Sequence, residues 1–138
     1  MIYFKTVSNE KLKDKVRDYL IPEEEKIITS IEDQSTGGYT IFTDKRVIIC
    51  DSEDCKYKPY SIFSAADLKC GSYDITISMY YKPGYISSGK ESASYIFRLA
   101  RCQRNAEVDE ITEAMKNDDE LKKALRLAYK AICSATIK

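Results

Sequence analysis

The sequence predicts a mainly β fold with helices at both ends of the chain. Three observations indicate this fold. Short alternating or β-branched segments follow one another between residues 26 and 100, polar turns separate them, and helical periodicity is confined to the two terminal regions. Strands in an unbroken run, joined by short turns, favour antiparallel pairing in a barrel or sandwich. We therefore expect about seven antiparallel strands, split four and three, with a C-terminal helix closing one open end.

An extra helix is predicted in the N-terminal segment, residues 1–21. Ser8 is a suitable N-cap, and Leu12 and Val16 follow at a spacing that places them on one helical face. Pro22 marks the end of the helix, because the residue before a proline avoids the helical region. We expect the apolar face of this helix to pack on the barrel or to be buried at a subunit interface.

Four strands are expected in the first half of the chain. Alternating or β-branched residues place them at 26–31, 39–43, 46–50 and 56–63, with a polar turn that contains two glycines after the first strand. The third of these strands is almost continuously apolar, which is typical of a strand that is buried on both sides or central in its sheet. Pro59 cannot donate to a ladder, so the fourth strand is expected at an edge or with a bulge.

Three further strands complete the predicted barrel. Residues 65–68 are expected to form a short helical or bent link, the split between the two sheets is expected at the irregular stretch 64–67, and a short strand is expected at 68–72. Residues 73–80 alternate strictly, and residues 93–100 alternate again after the long loop 82–92. The apolar face of the strictly alternating strand is Ile75, Ile77 and Met79.

Helical periodicity returns after residue 105. The segment that ends at residue 117 carries an apolar face that we expect to plug the open end of the barrel. The polar run at 117–119 interrupts the pattern, and an additional helix is expected over 118–138, although the pattern leaves open whether one helix or two is formed. The plugging face is Val108, Ile111 and Met115, and the second apolar stripe is Leu121, Leu125, Ala128 and Ile132.

Length and composition limit the function. The 138 residues suit a single domain over 1–138, with its core at 24–117. The chain has no His, the commonest general base and metal ligand, and its 22 Lys and Arg balance 22 Asp and Glu, so it lacks the basic surplus of a nucleic-acid binder. No apolar run approaches the ~20 residues of a membrane span. We expect no catalytic residue, no metal or other cofactor, no nucleic-acid partner and no transmembrane segment.

The cysteines indicate a reducing compartment. There are five, an odd number, and their wide spacing is unlike the disulfide framework of a small secreted protein. Cys50 and Cys55 flank a hairpin turn and could face each other, but without His or a second close pair a zinc site is not expected. Buried reduced thiols are the default, and the first residues lack the apolar run of a signal peptide. The expected location is the cytoplasm.

Three segments of the chain resemble a known protein family. The run Leu20–Glu24 is followed, after a strand, by the hairpin Ile41–Ile48 and then by the strand residues Lys58–Ile62. These segments are similar to those of bacterial pleckstrin-homology (PH) domains, although Glu23 and Asp44 stand where that family usually has Gly and Asn. The resemblance implies a PH-like, strongly bent barrel with a C-terminal helix. It also implies a non-enzymatic domain of a kind that often self-associates.

Basic and aromatic side chains at turns, on one strand and in the long loop are the candidate binding residues. Each group also has a structural interpretation: hairpin residues serve the turn, edge lysines block aggregation, and surface cations are neutralised by nearby acids. Long loops in small domains tend to be functional or disordered. The candidates are Lys45, Arg46, Lys56, Lys58, Lys82, Tyr85, Lys90, Arg98 and Arg101.

The sequence therefore predicts a non-catalytic, PH-like interaction module. Its expected partner is another protein or a second copy of the same chain, because the helices at both ends carry apolar faces beyond what a lone barrel needs. The alternative is peripheral binding to an anionic lipid or a phosphate ligand through the basic strand and loop. Zero net charge weakens that alternative, since such attraction depends on basic residues near the membrane surface.

Overall fold

A computed structural model describes residues 2–8, 12, 25–51, 54–85, 90–100 and 108–136, and of residues 108–110 the backbone only. Within these ranges the chain forms two antiparallel sheets and a C-terminal helix, which confirms the mainly β architecture. The elements are β1 (Phe4–Thr6), β2 (Ile27–Asp33), β3 (Tyr39–Thr43), β4 (Arg46–Cys50), β5 (Cys55–Pro59), a 3-10 turn (Tyr60–Ile62), β6 (Phe63–Cys70), β7 (Asp74–Tyr81), β8 (Ser92–Arg98) and helix α1 (Val108–Thr136).

The strands form a meander that is divided into two sheets. The first sheet has five strands in the order β1-β2-β3-β4-β5, and the second has three in the order β6-β7-β8. The predicted four-plus-three division is therefore five plus three. The additional strand is β1, whose Phe4 lies opposite Asp33 of β2. A strand of three residues is too short to show a period, which is why the sequence did not indicate it.

The extra N-terminal helix predicted over 1–21 is not seen in the described residues. Residues 4–6 of that range form β1 instead, and the backbone N–H of Val7 continues the pairing by donating to the Ser30 carbonyl at 3.0 Å. Of residues 9–24 only Leu12 is described, so the rest of the predicted helix lies outside the described residues. Leu12 is fully buried, as expected for its apolar face.

The chain crosses between the sheets earlier than predicted. Residues 64–68, which include the expected split and the expected link, lie within β6, and the crossing occurs at the 3-10 turn Tyr60–Ile62. Pro59 is the last residue of β5, and the N–H that it lacks would lie on the side away from β4. The Tyr60 side chain is fully buried, and its hydroxyl donates to the Thr43 carbonyl at 2.9 Å, which fixes the turn against the β3–β4 hairpin.

The main core lies between the two sheets and helix α1. Its largest side chains are aromatic: Phe42 of the first sheet tilts against Phe97 of the second with ring centroids 6.3 Å apart. The predicted apolar face of β7 is confirmed, since its alternate residues are completely buried. Burying each of these side chains contributes about 1.5–3 kcal/mol. The core comprises Ile31, Phe42, Val47, Tyr60, Phe63, Ile75, Ile77, Met79, Phe97, Leu99, Leu121, Leu125, Ala128 and Ile132.

A second, smaller core covers the opposite face of the five-stranded sheet. Leu12 packs there against Ile41, Ile48 and Cys50, all of which are buried. Successive residues of β4 therefore enter different cores, because side chains alternate between the faces of a strand. This alternation is the reason why the consecutive residues Val47 and Ile48 are both buried.

Helix α1 is a single helix of 29 residues. The polar run at 117–119 does not break it, because Asn117 and Asp118 make hydrogen bonds to neighbouring segments. The Asn117 side-chain amide donates to the Phe4 carbonyl at 2.9 Å, and an Asp118 carboxylate oxygen accepts the Ala100 N–H at 2.8 Å. No helix in the described part of the chain is long and apolar enough to cross a membrane.

The predicted plugging face of the helix is wrong. Ile111 and Met115 are 44% and 52% exposed, while Leu121 and Leu125 are fully buried. At 100° per residue, the side chains of Ile111 and Met115 point about a quarter-turn around the helix away from those of Leu121 and Leu125. A straight helix therefore cannot bury both stripes against one barrel, and the longer stripe occupies the core. The side chain of Val108 lies outside the described residues.

The expectation of reduced thiols is wrong for one pair. Cys50 and Cys55 form a disulfide across the β4–β5 hairpin, with Cα atoms 4.1 Å apart. They are directly opposite each other in the strand register, so their side chains share a face of the sheet. Cys70 and Cys133 are free. Cys102 lies outside the described residues.

Candidate functional site

Arg46, the first candidate cation, is held by the fold itself. Its Nε donates to a carboxylate oxygen of Glu25 at 3.0 Å, and the two side chains are only 16% and 5% exposed. The guanidinium carbon also lies 4.7 Å from the ring centre of Tyr57. Glu25 in turn accepts the Thr43 hydroxyl at 2.6 Å. This arrangement supports the structural interpretation of Arg46, which ties the loop before β2 to the β3–β4 hairpin.

Lys45 serves the β3–β4 hairpin through its backbone. Its N–H donates to the Thr43 hydroxyl at 3.1 Å, and its carbonyl accepts the Tyr60 N–H at 2.9 Å. The residue is exposed to solvent. The hairpin residues Lys45 and Arg46 therefore point to different surroundings, and they do not form a joint cationic site.

Lys56 and Lys58 share one face of β5, because they lie opposite Ile49 and Val47 of β4. The ammonium group of Lys58 donates to the Tyr81 hydroxyl at 2.5 Å and lies 5.3 Å from the centre of that ring. Lys56 is exposed. Lys58 is thus the candidate lysine that contacts Tyr81, and Lys82 is the next residue along the chain.

The remaining candidates are dispersed. Tyr85 is 54% exposed, and its N–H donates to the Lys82 carbonyl at 3.0 Å. Lys90 is exposed at the other side of the same loop. Arg98 lies opposite Asp74, at the end of β7 that is far from Tyr81. Asp74 and Tyr81 are separated by ~23 Å along the strand, given the rise per residue. Its guanidinium carbon is 4.7 Å from the ring centre of Tyr3. Arg101 lies outside the described residues.

Two buried tyrosines near the candidate lysines stay protonated. Burial, followed by the charge of Glu25, raises the pKa of Tyr60. Burial, followed by the proximity of Tyr81, raises the pKa of Tyr95. Both phenols are therefore neutral at physiological pH. Within the described residues, no group of three or more Cys, Asp or Glu is arranged to hold a metal ion.

A different kind of site emerges from the four edges of the two sheets. An edge strand presents backbone N–H and C=O groups of alternate residues to its surroundings, and these groups attract another strand unless something covers them. The sheet order makes β1 and β5 the edges of the first sheet, and β6 and β8 the edges of the second. The backbone hydrogen bonds of each strand show which residues point outward.

Helix α1 contacts the outward groups of β1 and β6. Pairing through Tyr3 and Val7 leaves the backbone of Phe4 pointing outward, and the Phe4 carbonyl accepts the side-chain amide of Asn117 at 2.9 Å. On β6 the Gly71–Asp74 hydrogen bond shows which alternate residues pair with β7, and by that alternation the backbone groups of Ala66 point outward. The Ala66 carbonyl accepts the hydroxyl of Tyr129 on α1 at 3.5 Å. One outward carbonyl on each of these edges is therefore bonded by the same helix.

The β5 edge is blocked by its own residues. The hydrogen bond from the Asp51 N–H to the Asp54 carbonyl places Cys55, Tyr57 and Pro59 in the outward phase. The Cys55 N–H already donates to the Asp54 carboxylate at 2.8 Å, and Pro59 has no N–H. Only Tyr57 keeps an outward donor, and it stands between two lysines. Lysine and proline are the residues with which natural proteins protect a sheet edge.

The β8 edge has no such protection. The N–H of Tyr81 donates to the Glu91 carbonyl, and the N–H of Leu99 donates to the Tyr73 carbonyl, so the odd-numbered residues of this strand pair with β7. The backbone groups of Ser94 and Ile96 therefore point away from β7. No residue in the described part of the chain bonds to them. The Ile96 side chain is 60% exposed. Residues 92–98 contain no Lys or Pro, and their one charge is Arg98 at the end. Each of the other three edges has at least one outward group that is hydrogen-bonded, whereas on β8 no outward group is bonded within the described residues.

Sequence reasoning missed this edge because it searched for charged and nucleophilic side chains. The residues that carry the site are Ser94 and Ile96, which have no distinctive chemistry, and their contribution is made by the backbone. A signal was nevertheless present. The predicted strand 56–63 contains two lysines and a proline, whereas the predicted strand 93–100 contains none of these. The position of each strand in a sheet had to be known before that difference had a meaning.

Comparison of the chain with protein-family models, with curated proteins and with solved structures gave no match. The PH-like resemblance therefore stays a prediction. The outward backbone groups of residues 92–98, together with the Ile96 side chain, form the β8 edge.

Proposed function

We propose that this protein is a non-catalytic protein-interaction module that docks an extended segment along the β8 edge. The observation that carries the proposal is the pair of outward-facing residues Ser94 and Ile96, whose backbone groups have no partner within the described chain. Strand addition obtains its affinity from main-chain hydrogen bonds and its specificity from alternate side chains. At this edge the specificity element is Ile96, which offers apolar surface to the added strand.

The other three edges support this choice because each is partly occupied or blocked, in a different way. Helix α1 contacts two of them, and Asp54, Pro59 and the lysines block the third. A protein that protects three edges and leaves one without Lys or Pro has a surface suited to recognition. The exposed apolar side chain at the same place adds binding surface that a purely solvated edge would lack.

The proposal is tested by selecting linear peptides from a random display library against the full-length chain. Ser94→Pro removes one N–H that faces away from β7, so the internal ladder keeps all of its hydrogen bonds. The matched control is Tyr57→Pro, which removes the corresponding outward N–H of β5. We expect selected peptides to bind Ser94→Pro at least tenfold more weakly than the wild type and to bind Tyr57→Pro normally.

Two results would contradict the proposal. One is a selection that yields no binding peptide, and the other is a set of peptides that bind Ser94→Pro as well as the wild type. Circular dichroism confirms that each variant is folded. If Ser94→Pro does not fold, Ile96→Lys replaces it, since a lysine at an edge repels an added strand without removing a backbone donor.

We also propose a second candidate function, the binding of an anionic ligand through Lys56. The supporting observation is the shared face of Lys56 and Lys58, with Lys82 next to the tyrosine that Lys58 contacts. In this case the full-length chain would sediment with vesicles that contain phosphatidylserine and less with vesicles of phosphatidylcholine alone. Lys56→Glu would abolish the difference, and Lys45→Glu, an equally exposed control, would keep it. Equal sedimentation with both vesicles would exclude the lipid function.

A further inference from the structure

We propose that the strand docked on the β8 edge is β8 of a second copy of this chain, antiparallel to the first and related to it by a two-fold axis at Ile96. This inference rests on the proposed function and adds the identity of the partner. A two-fold interface uses the same patch on both subunits, so the patch has to be complementary to itself. The β8 edge satisfies that requirement in its backbone, its side chains and its charge.

The backbone requirement is that facing residues point their N–H and C=O groups toward each other. In an antiparallel pair, two facing residues exchange hydrogen bonds only when both direct their N–H and C=O toward the other strand. The outward residues of β8 are Ser92, Ser94, Ile96 and Arg98. With the axis at Ile96, that residue faces the partner's Ile96, and Ser94 faces the partner's Arg98. The pairs formed by residues 94, 96 and 98 then consist of two outward residues each, and their open groups are satisfied on both strands. Ser92 faces the partner's Ala100, whose N–H already donates to Asp118.

The side chains select this axis from its neighbours. Moving the axis to residue 95 or to residue 97 places the exposed Ile96 opposite Ser94 or opposite Arg98, so in neither case is an apolar pair formed. An axis at residue 94 brings Arg98 opposite Lys90, and an axis at residue 98 brings Arg98 opposite its own copy; both are pairs of like charge, which are unfavourable directly across a sheet. With the axis at Ile96, a 60% exposed side chain lies opposite an identical apolar side chain.

The orientation follows from the single charge of the strand. A parallel pairing in register places Arg98 beside Arg98, whereas the antiparallel pairing places it beside a serine. The product is one continuous six-stranded sheet made from the two three-stranded sheets. Its outer face continues the polar surface of β7 and β8, where the hydroxyl groups of Ser78 and Ser94 already lie 3.0 Å apart.

The experiment measures the dissociation constant of the full-length chain by sedimentation equilibrium. We expect a wild-type dimer, and at least a tenfold rise in the dissociation constant for both Ser94→Pro and Ile96→Lys. The control Tyr57→Pro should dimerise like the wild type. A wild-type chain that stays monomeric up to millimolar concentration overturns the inference, as does a dimer that all three variants retain.

A charge exchange tests the register independently. Because Ser94 faces the partner's Arg98, Ser94→Asp creates two attractive pairs per dimer and Ser94→Lys creates two repulsive ones. We expect the first variant to lower the dissociation constant and the second to raise it, with a difference of about tenfold at low salt that shrinks as salt is added. Equal constants for the two variants overturn the register.

The outcomes separate this inference from the proposed function. If the wild type is monomeric while selected peptides still bind it and fail to bind Ser94→Pro, the edge docks strands but not its own copy. In that case the second copy is excluded and the interaction module stands. If a dimer forms that no β8 variant weakens and peptides bind Ser94→Pro normally, both proposals fail, and the dimer uses another surface.

Discussion

The two sheets of this protein differ in how much of their surface is covered. The five-stranded sheet has apolar side chains on both faces, with Phe42 in the main core and Ile48 in the smaller core under Leu12. The three-stranded sheet is buried on one face only, and its other face carries polar residues and the exposed Ile96. The first sheet is built for stability, while the second leaves a face and an edge available to a partner.

The strand sequences reflect this difference. In β4 the consecutive residues Val47 and Ile48 enter opposite cores, as in strands covered on both sides. In β7 buried and partly exposed residues alternate through Met79, which is the pattern of a sheet with one solvated face. The hydrophobic periodicity of a strand thus indicates how many faces of its sheet are covered. Whether a strand is an unpaired edge depends on which strands are its neighbours in space.

The sharpest test of the comparison exchanges one isoleucine in each sheet for alanine. Ile48→Ala removes a side chain that is 1% exposed, and we expect a loss of about 2–5 kcal/mol in the free energy of unfolding because a cavity forms between Leu12 and the sheet. Ile96→Ala removes one that is 60% exposed, and we expect a loss below ~1 kcal/mol.

Urea denaturation at submicromolar protein concentration measures both isoleucine variants without a contribution from self-association. If the two substitutions lower the free energy of unfolding equally, the outer faces of the two sheets do not differ in burial. A large loss for Ile96→Ala alone would mean that the outer face of the three-stranded sheet also belongs to a core.

A smaller contrast is expected for the two arginines. Arg46→Ala leaves the Glu25 carboxylate, 5% exposed, without its cation, and the expected cost is about 1–3 kcal/mol. Arg98→Ala removes an exposed cation from the ring of Tyr3, for which about 0.5–1 kcal/mol is typical. Thermal and urea unfolding of both variants provide the measurement. Equal stability of the two variants would show that the Glu25–Arg46 pair contributes nothing beyond a surface contact.

Much of the fold was predictable because strand and helix periods are local. The alternation at 73–80, the apolar run at 46–50 and the helical stripe at 121–132 each specify an element from residues that are close in sequence. β1 was not predictable, since three residues have no measurable period and depend on the free edge of β2. The continuity of α1 was not predictable either, because Asn117 and Asp118 are helix-breaking only when their side chains lack partners in space.

The candidate site shows the same division more strongly. Residue type suggested nine candidates, yet Arg46 pairs with Glu25, Lys58 contacts Tyr81, and Arg98 lies near the opposite end of the second sheet. Sequence cannot bring such residues together or separate them. The β8 edge had no signal in residue chemistry at all, since its donors and acceptors belong to the backbone, which every residue has in common.

By itself, the sequence determined the class of the fold, the position of most strands and the balance of charge, because each follows from composition or from a period of two or 3.6 residues. The tertiary structure alone decided which helical stripe is buried, that Cys50 and Cys55 face each other, and which sheet edge is open. These features depend on neighbours in space. A helix can bury only one direction against a barrel, a disulfide needs two facing strands, and an edge exists only once the order of strands is fixed.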